Sequence, residues 1–252
     1  MYKILNDLLS DKKSDIVFNC FGIYHIIYMV IIFLSIISLV FIFRNKNESI
    51  KNKLVVGSIN VAFSLYILDF FLMPFSYQSI DIEKLPFHIC TVSCVLCFLS
   101  RHNNFFNKYK NIFAILGLIG NFIYVIYPAG VMWYQVHPLS YRVIQTLLYH
   151  GVMVSYSIFT LAFEKPTLEY KKSYKDLTVI SLLVVWALLG NYLYNGTYKD
   201  YDHFFNWLFV VRDPFHILPL EISRFIMPFV ILLLLYSLDL LVYFIYNKVR
   251  GV

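Results

Sequence analysis

The sequence predicts an all-α polytopic membrane protein, a seven-transmembrane-helix bundle, from three observations. Of 252 residues 60% are apolar and only 14% charged, with a mean hydropathy of +0.67, whereas a soluble domain is about a quarter charged. The apolar residues come in long blocks, several close to the ~20 residues that carry a helix across a hydrocarbon core. Short connections between the blocks hold most of the lysines and arginines. One transmembrane domain over residues 1–252 accounts for nearly all of them.

The polar breaks define each element in turn. The first helix, Cys20–Phe43, is uncharged and ends at Arg44; the second, Asn52–Pro74, closes at its proline. The third, Leu85–Ser100, is short and has Pro86 in its first turn, where a missing N–H costs nothing. The fourth, Phe106–Tyr127, stops before Pro128, and the fifth, Tyr141–Phe163, stops at Glu164 and Lys165. Tyr174–Asn195 and Leu220–Asn247 complete the set. The segment 1–19 carries Asp7, Asp11, Lys12, Lys13 and Asp15 and no apolar core followed by a small-residue cleavage site. It reads as an interfacial segment rather than a removable signal peptide. The connection 196–219 is rich in aromatic and aliphatic residues and reads as an interfacial or re-entrant loop.

Charge sets an expected orientation. Arg44, Lys46, Lys51, Lys53, Arg101, Lys108, Lys110, Lys165, Lys171, Lys172, Lys175, Lys248 and Arg250 fall on one side, thirteen in all. Lys3, Lys12, Lys13, Lys84, Arg142, Lys199 and Arg212 make seven on the other. The positive-inside rule then places the N-terminus out and the C-terminus in. The net charge of +6 is thereby assigned to topology and lipid headgroups, and without a basic stripe in a soluble segment no nucleic-acid partner is expected. Of the four cysteines, Cys90, Cys94 and Cys97 lie four and three apart on one helical face, a packed seam rather than a disulfide framework.

Ionisable and amide groups inside a bilayer each call for a partner or a purpose. Asp69, His88, Cys90, Asn121, His150, Asn191, Glu221 and Arg224 occur late in even helices and early in odd ones, as does His25. Because successive helices alternate in direction, most share one half of the membrane, within about 14 Å of one surface at 1.5 Å per residue. Taken singly, any of them is accounted for as an interhelical hydrogen bond, which is the reading for Asp239 in the other half. In the fifth helix, Arg142, Thr146, His150, Met153 and Ser157 form one stripe, which should face the interior.

A thiol with a histidine base is the arrangement for nucleophilic catalysis. His88, two residues from Cys90, would point about 200° away on a helix, so His150 is the expected base and Asn121 or Asn191 the expected oxyanion support. A zinc hydrolase using His25, His88 and His150 is an alternative, though no histidine pair has helical metal-motif spacing. A small-solute or proton-coupled transporter lined by Asp69, Glu221, Arg224 and the histidines is another, without the internal duplication common in transporters.

The run Leu85-Pro86-Phe87-His88-Ile89-Cys90, the Gly117-to-Pro128 end of the fourth helix, Gln145 with His150-Gly151, and Gly190-Asn191-Tyr192 resemble, in order, the bacterial YwaF-like integral membrane proteins, relatives of the animal transmembrane protein 164. Asp213-Pro214-Phe215-His216-Ile217-Leu218 is similar to a divergent copy of that family's aromatic Gly-Pro-Trp segment, with Arg212-Asp213-Pro214 in place of Gly-Pro-Trp. The resemblance implies an acyltransferase of a bacterial plasma membrane that passes acyl chains between phospholipids and lysophospholipids. It implies Cys90 as acyl acceptor and His150 as base, with His88, Asn121, Asn191, Asp69, Arg142, Arg224 and Glu221 as supporting or substrate-binding residues. No cofactor and no metal are called for.

Overall fold

The structure, a computed structural model, describes residues 15–76, 82–132, 135–195 and 205–251. Most of the expected N-terminal segment and residues 196–204 of the long connection lie outside them. Seven principal helices are found among the described residues: α1 (Ile23–Phe43), α2 (Glu48–Ser76), α3 (Ile89–His102), α4 (Lys110–Ile126), α5 (Tyr141–Phe159), α6 (Tyr174–Asn195) and α7 (Leu220–Arg250). All but α3 are long and apolar enough to cross a membrane. The 14 residues of α3 reach about 21 Å at 1.5 Å per residue, short of a ~30 Å hydrocarbon core.

Local chemistry sets the ends. Asn47 accepts the Ile50 N–H through its side chain (2.9 Å) and starts α2, four residues before the expected start. Ser140 does the same for Val143 at the start of α5. α5 runs on into a π-turn, Thr160–Glu164, and stops at Lys165 in a left-handed conformation (φ 48°). α7 ends at Gly251, whose φ of 70° is the left-handed cap that only glycine adopts without strain.

The main departure concerns the third helix, which begins at Ile89 rather than near Leu85. Residues 85–88 form turns in which the carbonyls of Leu85 and Pro86 find partners other than helix N–H groups, while that of His88 accepts the Val92 N–H (2.9 Å) and makes His88 the N-cap. Trp186 Nε1 donates to the Pro86 carbonyl (2.7 Å), the Phe87 N–H to that of Leu85 (2.7 Å), and the Thr91 hydroxyl reaches the carbonyls of His88 (3.1 Å) and Leu85 (3.3 Å). Pro86 therefore precedes the helix, and so does His88.

By its contacts the chain divides into two compact units, Met1–Ile82 with Ser93–Lys165, and Glu83–Val92 with Pro166–Val252. The first is organised around α5, which packs against α1, α2 and α4. The stripe expected to face inward does so, with Arg142, His150, Met153 and Ser157 all buried. Lipid is as apolar as leucine, so packing distance rather than water release holds such helices together. At Gly117 a Cβ would meet Ser157 Oγ at 3.2 Å and Cys97 Sγ at 3.6 Å, which lets α3, α4 and α5 converge. Ahead of α1, Phe18 is buried with Val131, Val136, Val143 and Leu147. In the second unit α6 packs on α7, and residues 207–209 pack on both.

Candidate functional site

In the second unit a loop is built by three asparagines. Asn191 accepts the Trp207 N–H (3.0 Å) and donates to the carbonyls of Trp207 (3.0 Å) and Ala187 (2.8 Å). One turn later Asn195 takes the Phe205 N–H (2.8 Å) and gives to the Phe205 carbonyl (2.7 Å). Two side-chain amides at i and i+4 on α6 thus serve residues 205 and 207 as a neighbouring β-strand would. Asn206 closes the far side, donating to the Arg212 carbonyl (2.7 Å) and accepting from Val211 and Arg212 N–H at 3.2 and 3.0 Å. Both Asn191 N–H groups are used, which leaves none for an oxyanion; its contribution is to hold the loop.

The loop carries two consecutive non-glycine residues with positive φ, Leu208 (57°) and Phe209 (55°). Such conformations cost free energy and persist only where the surroundings over-determine them. Here the asparagines on one side and aromatic packing on the other supply that constraint. Phe205 stacks on Trp207 (4.8 Å, 3°), and Phe87 lies against Trp207 (4.9 Å) and stacks on Trp186 (5.0 Å). The turn sends the Leu208 N–H to His88 Nδ1 (3.3 Å). An Nδ1 that accepts leaves the proton of the neutral ring on Nε2, so His88 presents an N–H donor there.

Cys90, half-buried, is the second residue of α3 and so lies in its first turn. Helix N-terminal N–H groups favour a negative charge beside them, while burial opposes one. Glu221 and Arg224, also of this unit, are exposed on the first turns of α7.

The first unit holds the remaining expected residues. His150 is buried, its ring stacked on Tyr124 (4.0 Å, 9°). Its Nδ1 lies 2.7 Å from the Thr146 carbonyl; a carbonyl only accepts, so Nδ1 carries a proton and Nε2 the lone pair of the neutral ring, the form a general base requires. Asn121, fully buried, donates to the Gly117 carbonyl (2.7 Å) and leaves its side-chain oxygen without a donor among the described residues. Asp69 accepts from the Tyr141 hydroxyl (3.1 Å), and Arg142 is buried one residue further on. His25 has both ring nitrogens on backbone, Nε2 at 2.9 Å from the Val125 carbonyl and Nδ1 accepting from the Phe21 N–H (3.0 Å). It has no lone pair left for zinc.

Two groups of residues escape the sequence pattern. Arg101, assigned there to a topogenic connection, is half-buried in a network with the Tyr156 hydroxyl (3.0 Å), Thr160 (2.9 Å) and Glu164, which also pairs with Lys110 (2.7 Å). The 0, 4, 8 spacing of Tyr156, Thr160 and Glu164 on α5 and its π-turn is the signal for it. The amide clamp was signalled by Asn191 and Asn195 at i and i+4.

These features define a polytopic helical membrane protein in which a short helix opens on a cysteine and its lead-in is bonded to an aromatic loop. The chain matches the TMEM164 family over residues 20–248 and belongs to that family. Neither the curated proteins nor the solved structures contain a match to it.

Proposed function

We propose that the chain is a membrane acyltransferase that moves a fatty acyl group from a phospholipid to a lysophospholipid through a thioester on Cys90. The observation that carries this reading is the placement of Cys90 in the first turn of α3, with the adjoining His88 oriented by the Leu208 N–H. Membership of the TMEM164 family, and the resemblance to relatives associated with acyl transfer, support it.

In the proposed reaction the Cys90 thiolate attacks the ester carbonyl of a phospholipid. The acyl–sulfur bond forms, the acyl–oxygen bond breaks, and the lysophospholipid leaves with the proton given up by the thiol, a transfer for which the family resemblance implies His150 as base. In the second half His150 deprotonates the hydroxyl of another lysophospholipid, which attacks the thioester and regenerates the thiol. His88, as an Nε2–H donor, is suited to the oxyanion of either step. Asp69, Arg142, Glu221 and Arg224 are assigned to supporting or headgroup-binding roles, and Asn121 to a supporting one. The reading places the chain in a bacterial plasma membrane, N-terminus out and C-terminus in.

The test is transfer of a labelled acyl chain by purified protein in lipid nanodiscs. Cys90→Ala should lose transfer altogether, and His150→Ala should lower it by about 10²–10⁴-fold, the usual worth of a positioned base. Mass spectrometry of the working protein should find a lipid-derived acyl group on Cys90. Undiminished transfer by both variants removes these roles.

A further inference from the structure

α6 and α7 bring two carboxyl groups together far from the loop just described. Asp176 is the third residue of α6, and Asp239 lies about 28 Å along α7 from its start, at 1.5 Å per residue. Both are buried, at 2% and 0% exposure. Asp176 accepts from the hydroxyl of Tyr243, one turn beyond Asp239 on α7. No donor from any described residue reaches either oxygen of Asp239; the group of α6 brought to it is the Asp176 carboxyl, held by the hydroxyl of Tyr243 one turn away on the same helix as Asp239.

Among the described residues, the cation that acts on the pair is an exposed one, Lys175. Tyr236 bears on Tyr243 from α7 and shares a hydrogen bond with Ser173 (2.8 Å). Tyr170, from the turn before α6, has its ring 5.8 Å from that of Tyr243. Lys175 acts on Asp176 from the exposed side of α6. Two ionised carboxylates in contact in an apolar interior repel strongly and leave lone pairs facing lone pairs. One positive charge between them removes both problems. A proton on Asp239 would donate to Asp176, which already holds the Tyr243 hydroxyl, and the contact between lone pairs would become a hydrogen bond.

We infer that Asp176 and Asp239 form a proton-binding site, holding one proton between them at neutral pH and separate from the thiol and imidazole assigned to acyl transfer. This does not depend on the acyltransferase reading. Above roughly pH 4, where aspartates of the unfolded chain ionise, the folded chain keeps a proton that the unfolded chain has lost, so the pair makes stability fall as pH rises.

The experiment is infrared spectroscopy of the full-length protein in nanodiscs at pH 7, with melting temperature followed from pH 5 to pH 9. The wild type should show the carbonyl band of a protonated carboxyl, shifted in heavy water, and Asp239→Asn should lose it. The asparagine carries the donor that the proton provides, so this variant should melt within a few degrees of wild type at pH 7 and show a flatter pH profile. Should Asp239→Asn fail to fold, the wild-type band and its loss in Asp176→Asn decide the matter. Absence of the band from the wild type overturns the proposal. So does a melting temperature that climbs with sodium at constant ionic strength, which would assign the charge to a metal cation.

Discussion

Replacing Asn191 with alanine tests how the loop over 205–212 is held. The substitution removes three hydrogen bonds and takes the acceptor from the N–H of Trp207, a residue 1% exposed, while the Trp207 carbonyl keeps the Val210 N–H (3.5 Å). A buried backbone group that loses its partner costs about 1–3 kcal/mol, less whatever an entering water restores. The Ala187 carbonyl adds little, because it retains its helical bond. At 1.4 kcal/mol per tenfold, the lower figure corresponds to local opening that is roughly 5 times more frequent. Hydrogen exchange with mass spectrometry on nanodisc-embedded protein measures this directly. Peptides covering 205–212 should exchange at least that much faster, while those from α5 stay unchanged. Asn195→Ala, at a half-buried position whose partner Phe205 is also half-buried, should have a smaller effect. Asn191→Asp should match or exceed alanine, since it sets a carboxylate against the carbonyls of Trp207 and Ala187. Unaltered protection of 205–212 in Asn191→Ala would refute the argument, because the helix would then be shown to hold the loop by its rings alone.

Two further expectations follow from the same unit. A Cβ at residue 190 would lie 2.5–2.7 Å from three atoms of the Phe87 ring, which Trp186 and Trp207 keep from yielding. Gly190→Ala should therefore cost about 1–3 kcal/mol, as overpacking does, and lower the melting temperature by several degrees; an unchanged melt would mean that Phe87 moves freely. Asp213 receives N–H bonds from Phe215 (2.9 Å), Ile217 (2.9 Å) and Leu218 (3.2 Å). These, the Phe215 bond foremost, hold its carboxyl below the usual range. A depressed acid stabilises above its unfolded value, near 3.9, and loses that contribution as pH falls through the folded one. Protection of the 213–218 backbone should accordingly fade below about pH 4, and Asp213→Ala should lack it at every pH. Acid-insensitive protection in the wild type would remove the carboxylate from this role.

What the sequence made legible follows from the range of the forces involved. Helix existence is encoded locally, in apolar runs bounded by Asn47, Ser140, Lys165 and Pro219, and the observed ends lie within a few residues of the expected ones. The inward face of α5 was equally readable, since Arg142, His150, Met153 and Ser157 share a helical stripe. The start of α3 was not. Pro86 signals a first turn only while its neighbours' carbonyls lack other partners, and here Trp186, exactly 100 residues away in the chain, claims the Pro86 carbonyl. His88 caps the helix instead of lying within it, so the 200° argument against it no longer applies, and its ring nitrogen meets the Leu208 N–H, 120 residues on. Asn191 and Asp239 show the same gap from the other side. Each was visible as a polar residue in hydrocarbon, and Asp239 was expected to bond a neighbouring helix, but which group it faced depended on a distant partner.

The bond from Leu208 to His88 has a consequence for chemistry at the lead-in of α3. A nitrogen already receiving an N–H cannot also take a proton, so while the strand of rings from 205 to 209 stays docked, the imidazole is kept uncharged and able only to donate from its far edge. Lifting that strand would vacate the nitrogen for a proton. Docking of the loop and protonation at that nitrogen exclude one another, and Asn191, Asn195 and Asn206 hold the loop docked.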